Sequence, residues 1–108
     1  MLSCNIKEHN EFSIDNGIRI EDVEIGTSIK NVLSLRNETV DTVFIDSMYA
    51  SCSCVVLENY IRLIPPNTTK ELKYTFLAED SGYVVRGIFI KIRNQYIPHQ
   101  YKIEAIVK

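Results

Sequence analysis

Between residues 70 and 76 the side chains alternate. Leu72, Tyr74 and Phe76 fall on one side of an extended chain, and Glu71, Lys73 and Thr75 on the other. Successive residues of a strand point to opposite faces, so this spelling suits a strand with one oily and one wet face. The rhythm returns near the end, where Tyr101, Ile103, Ala105 and Val107 alternate with Lys102 and Glu104, and Ile106 interrupts the polar side. No window of about 11 residues carries an apolar stripe at helical spacing. A chain built this way must pair its strands and stack the resulting sheets.

Further strands are expected over residues 18–20, 29–35, 40–48, 60–64 and 82–92. Turn signals separate them: Asp15-Asn16-Gly17, Asn37-Glu38-Thr39, Pro65-Pro66-Asn67 and Glu79-Asp80-Ser81-Gly82. The two prolines cannot donate to a ladder and force a turn or an edge. Residues 82–92 are apolar on both sides, with Ile88, Ile90 and Ile92 on one face and Tyr83, Val85 and Phe89 on the other. Such a strand is central, or its second face is covered by a partner. Gly87 within it predicts a bulge or a sharp bend. Seven to eight short strands with turns at intervals of roughly 8–12 residues describe an all-β, immunoglobulin-like antiparallel sandwich. Without helical crossovers, parallel βαβ units are not expected.

The chain has 108 residues, the length of one domain. The expected division is a tail or edge strand over residues 1–10 and the sandwich over 11–108. Formal net charge is −2 with no basic run, so neither nucleic acid nor an anionic membrane surface is an expected partner. No apolar stretch approaches the ~20 residues of a membrane span, and the first ten residues hold no signal-peptide core. Leu2-Ser3-Cys4 has the form of a bacterial lipoprotein signal's end; an ordinary cysteine near a chain terminus is the alternative reading.

Cys52 and Cys54, one residue apart, would share a face of an extended strand. Their Cα atoms would then lie roughly 6.6–6.8 Å apart, the upper edge of disulfide geometry, so a bridge would be strained and easily reduced. Three readings follow: two small buried thiols, a redox pair, or a soft-metal site such as Cu(I) with Cys52 and Cys54 as ligands. Three cysteines in all do not make a disulfide framework.

The order of these signals is itself informative. Leu35-Arg36-Asn37 ends one strand, Val43-Phe44-Ile45 leads into Ser51-Cys52-Ser53-Cys54, and Leu63-Ile64-Pro65-Pro66-Asn67 precedes the strand ending in Tyr74-Thr75-Phe76. Over residues 18–107 this resembles a bacterial family of uncharacterised immunoglobulin-like domains. That family shows an Arg/Lys-Asn, then Ser-Cys-Gly-Cys, then Ile-x-Pro-Gly progression. It is similar in turn to sandwiches of the major-sperm-protein and cilium-associated kind. Ser53 and Asn67 stand where that family prefers glycine; Asn tolerates a left-handed turn, Ser much less so. The resemblance implies a seven-stranded sandwich, exported or lipid-anchored at the cell envelope. It implies no known activity.

Other residues carry little chemistry. His9 and His99 lack partners at metal or nucleophile spacing, and His99, after Pro98, reads as a solvated loop residue. An activated thiol would need a Cys–His pair assembled in space. The acidic residues fall in turns. Residues 37–39 and 67–69 match the glycosylation triplet. Tyr49, Tyr83 and Tyr96, with Val85 and Phe89, are the candidate partner-binding residues, because a tyrosine offers an apolar body and a wet tip. Tyr74 and Tyr101 read as sheet-face packing. The expected function is a non-enzymatic binding or assembly module without a cofactor, contacting a protein through a sheet edge or face. A homodimer through an edge strand is included in that expectation. The alternatives are a thiol-redox or copper-handling protein using Cys52 and Cys54, and a spacer domain of a larger protein.

Overall fold

The computed structural model describes residues 11–108. They form nine strands: β1 (Phe12–Ile14), β2 (Gly17–Val23), β3 (Ser28–Asn37), β4 (Val43–Ala50), β5 (Val55–Leu57), β6 (Leu63–Ile64), β7 (Thr68–Leu77), β8 (Gly82–Ile92) and β9 (His99–Val107). The order is β1-β3-β7-β5 in one sheet and β2-β9-β8-β4-β6 in the other. The expected all-β sandwich is therefore the fold, with one departure from antiparallel pairing: β2 runs parallel to β9. The reason lies at Asp15-Asn16. The chain leaves β1 in the first sheet and continues as β2 in the second, where its neighbour runs the same way. Asp15 anchors this crossing by accepting hydrogen bonds from the Ser34 amide at 2.8 Å and from Arg36 at 3.1 Å. Gly17 is needed where β2 meets β9, because a Cβ there would collide with the carbonyl oxygen of Lys102.

Alternation decides which side chains meet. Leu33 and Leu35 of β3 and Leu72, Tyr74 and Phe76 of β7 face Ile88 and Ile90 of β8 and Ile103 and Ala105 of β9, all buried. Each large aliphatic or aromatic side chain buried this way contributes roughly 1.5–3 kcal/mol. Inside this layer the Tyr74 and Tyr101 rings meet edge to face at 5.6 Å. Their hydroxyls share a hydrogen bond of 2.8 Å. The packing role expected for both tyrosines is what they perform.

Apart from the Tyr74 and Tyr101 hydroxyls, Asn37 is the one buried polar side chain among the described residues. Its Nδ2 donates toward the carbonyls of Asp41 at 2.9 Å, Ile64 at 2.9 Å and Pro65 at 3.1 Å. Its Oδ1 accepts from the Thr39 amide and hydroxyl. One side chain thus ties the end of β3 to the β3–β4 loop and to the proline turn before β7. Turned inward, it is not available as a glycosylation acceptor in the folded chain. Asn67 adopts the left-handed conformation expected of it, with φ 55°.

Several expectations need correction. Gly87 is no bulge, for the β8–β9 register runs unbroken through it. Its missing side chain instead makes room for the Phe89 ring, which a Cβ would meet at 3.0 Å. The irregularities fall between Ile45 and Ser47 in β4 and between Ile20 and Val23 in β2, the latter beside Asp22 at φ 60°. His99 is not a solvated loop residue. It begins β9, half-buried, with its ring 5.0 Å from that of Phe12 and its Nε2 2.9 Å from Gln95. Burial holds its pKa below the ordinary histidine value. Residues 1–10, with Cys4 and His9, lie outside the described residues.

Candidate functional site

Residues 51–54 carry the chain from β4 in one sheet to β5 in the other. The crossing is a tight turn rather than the extended strand expected from sequence. Ser51 fixes its start: its amide donates to the Gly87 carbonyl and its Oγ accepts from the Gly87 amide, both at 2.9 Å. The Val55 amide donates back to the Cys52 carbonyl, and the Leu77 amide to the Cys54 carbonyl. The turn shortens the Cys52–Cys54 Cα separation to 5.1 Å, and the two sulfurs are bonded to each other. That separation lies within the ordinary disulfide range, so the stretched bridge expected of an extended chain does not arise. Nor is the pair simply two free thiols in the core, although Cys54 is buried to 2% exposure. Among the described residues no group of three His, Cys, Asp or Glu side chains gathers as a metal site.

Arg86 completes this corner. Its Nε donates to Cys54 Sγ at 3.2 Å, its Nη1 to the Val85 carbonyl at 3.0 Å, and its Nη2 to Asp80 at 3.1 Å. The Cys54 amide donates to Cys52 Sγ at 3.1 Å. The sequence reading missed Arg86, yet a signal was there. In the run Val84, Arg86, Ile88, Ile90, Ile92 it is the single charged residue on the inward face of β8. His99 does not join this group; it pairs with Ile90, further along β8 than Arg86, which pairs with Ile103.

The bridge closes a very short loop, with a sequence separation of 2. Closing so few residues constrains the unfolded chain by only about 1–2 kcal/mol in the chain-entropy model. Reduction is therefore expected to leave the sandwich folded, lowering its urea-unfolding free energy by no more than that amount. Circular dichroism with and without a phosphine reductant measures the difference; unfolding on reduction would contradict it.

The outer face of the five-stranded sheet carries the second feature. Tyr83, Val85 and Phe89 point outward from β8, and Tyr49 of β4 lies opposite Phe89 with the rings stacked at 5.2 Å. The Phe89 ring lies over Gly87, the position between Phe89 and Val85 on that face. The result is an apolar stripe along the middle of the sheet, with Tyr49 47% and Tyr83 59% exposed. The Tyr83 hydroxyl donates to Glu104 at 2.7 Å, and this bond holds its pKa above the usual tyrosine value. Four of the five candidate partner residues thus share one surface. Tyr96 does not; it stands 97% exposed on the β8–β9 hairpin. The opposite sheet presents Lys30, Arg36, Glu71 and Lys73 outward, with Val32 and Val56 as its exposed apolar residues and, among the described residues, no outward aromatic ring beside them.

β4 also borders an incompletely paired edge. β6 covers only Val43 and Phe44, and the Ile45 amide donates to the Arg62 carbonyl. Beyond that point β4 pairs, among the described residues, with β8 alone. Ser51 donates to Gly87, and antiparallel bonding alternates, so the backbone groups of Met48 and Ala50 point away from β8. A groove of about 420 Å³ lies where β6 ends, lined by residues including Phe44, Asp46, Tyr60 and Arg93. Arg93 lies 4.6 Å from the centre of the Phe44 ring and donates to Asp46 at 3.4 Å. The other side of the sandwich manages its edge differently. The Asn59 amide accepts from the Lys73 amide and donates to the Glu71 carbonyl, extending the β5–β7 ladder with a side chain.

Solved structures of known proteins share this architecture. The secreted serine protease VesC of Vibrio cholerae superposes with a TM-score of 0.76 at 7% identity, covering 91% of this chain and 23% of that one. A protein of unknown function from Porphyromonas gingivalis W83 gives 0.71 at 15% identity, covering 88% and 46%. The chain thus spans less than half the length of either. PapD-like domain 7 of human CEP192 gives 0.62 at 14% identity, covering 100% and 94%. At such identities the likeness is one of fold. No curated protein matches the chain. A family model does match, over residues 11–107. The sandwich with its paired cysteines therefore belongs to the DUF1573 family, described as proteins of unknown function.

Proposed function

We propose that this domain is a non-enzymatic protein-binding module, and that its partner adds an extended segment to the open side of β4. One coincidence carries the reading: the backbone groups of Met48 and Ala50, unused by β8 and by any other described strand, flank Tyr49, the start of the aromatic stripe. An incoming strand would bond to the first and lay alternate side chains beside the second. The occupant is an extended partner segment with apolar residues at every second position, its end reaching the groove beside Phe44 and Arg93.

The test places a photo-crosslinking phenylalanine at position 49, and separately at position 30 on the opposite sheet, in cells of the source organism. Captured chains are then purified and titrated against the domain. Met48→Pro removes an N–H that β8 does not use, and Tyr49→Asp charges the stripe. Each is expected to weaken binding about tenfold or more while β4 stays paired with β8. Equal crosslinking at both positions, or unchanged affinity in both variants, would leave the domain a spacer. A dimer of the purified chain that Met48→Pro dissolves would make the occupant a second copy.

A further inference from the structure

The corner formed by Cys52, Cys54 and Arg86 is asymmetric in a way that matters for chemistry. Cys54 is buried and its sulfur accepts the Arg86 Nε–H. Cys52, packed against the edge of the core, is only partly buried and is the more accessible of the two. An attacking thiolate must approach a disulfide sulfur in line with the bond, so access selects Cys52. The sulfur that leaves acquires a full negative charge, and a guanidinium beside it stabilises that charge. Asp80 offsets Arg86 in part, but its carboxylate is 68% exposed and therefore screened.

We propose that Cys52–Cys54 is a thiol–disulfide exchange site for cysteine thiols, with Cys52 as the attacked sulfur and Cys54 as the leaving one. In the first step an incoming thiolate bonds to Cys52 Sγ. The bond between the two sulfurs breaks and its electron pair passes to Cys54 Sγ, opposite Arg86. In the second, another thiolate attacks the incoming thiol's sulfur and releases Cys52, whose Sγ accepts the Cys54 amide hydrogen. Two thiols lose two electrons and form one disulfide, while the protein gains two electrons and, with two protons, ends as the dithiol. The reverse sequence reduces a partner disulfide. This exchange is stoichiometric in the chain, not a turnover, and is independent of the β4 edge, so either reading can fail alone.

Glutathione serves as the probe thiol, with the full chain in a Cys4→Ser background. The reaction is quenched with a maleimide and mapped by peptide mass spectrometry. The expected trapped species carries glutathione on Cys52 and maleimide on Cys54. With Cys54→Ser, oxidised glutathione should leave a lasting adduct on Cys52. Arg86→Gln should slow reduction roughly tenfold, and Asp80→Asn, at an exposed carboxylate, should speed it. Glutathione found on Cys54, or a folded chain reacting no differently from the same chain in urea, would overturn the proposal. So would rates unmoved by both Asp80→Asn and Arg86→Gln.

Discussion

Replacing Asn37 with aspartate is expected to cost about 3–5 kcal/mol of stability, because it sets a buried carboxylate against three carbonyl oxygens. Those carbonyls belong to Asp41, Ile64 and Pro65, all within 3.1 Å of the native Nδ2. Asn37→Ala removes the same bonds without adding charge and should cost roughly 2–4 kcal/mol. Urea titrations followed by circular dichroism separate the two. The aspartate variant also carries a pH signature. Burial and facing oxygens raise the new carboxyl's pKa in the folded state above the unfolded value of about 3.9. Below both values its deficit is smallest. It grows as pH rises from the unfolded value through the folded one and then levels off. A loss below about 1 kcal/mol for both variants would mean that water replaces the side chain and that the loops do not depend on it.

The second large effect lies at Tyr74. Tyr74→Ala empties a fully buried aromatic position and should cost roughly 3–5 kcal/mol. Tyr74→Phe keeps the ring but leaves the Tyr101 hydroxyl without its bond, at about 1–3 kcal/mol. The double change to phenylalanine at 74 and 101 should recover part of that loss, which a double-mutant cycle measures. Burial raises both tyrosine pKa values; the shared hydrogen bond adds to the rise at Tyr74 and opposes it at Tyr101. The unfolded chain therefore ionises first. The stabilisation is complete below about pH 10 and is lost as pH climbs above it. Tyr74→Phe should flatten that alkaline decline by removing one of the two groups; an unchanged slope would refute the linkage.

How the two features became legible differs. Period-two spelling placed Leu72, Tyr74, Phe76, Ile103 and Ala105 in the core, because burial of one sheet face is a local consequence of alternation. The same logic grouped Tyr83, Val85 and Phe89 on the outer side of β8. Tyr49 joins them only because β4 pairs with β8 in one register, and register is a non-local choice. Arg86 was readable as a charge on an oily face, but its contact with Cys54 joins positions 32 residues apart.

Alternation and turn residues by themselves determined a two-layered β domain, its oily interior and a strand with two apolar faces. Those follow from which way neighbouring side chains point, a matter of a few residues. Tertiary structure alone decided that β2 lies parallel to β9, that the cysteine segment turns instead of extending, and that no other described strand covers the far half of the β4 edge. Each depends on where distant strands come to rest, and loop closure and interlayer packing, not local spelling, set those positions.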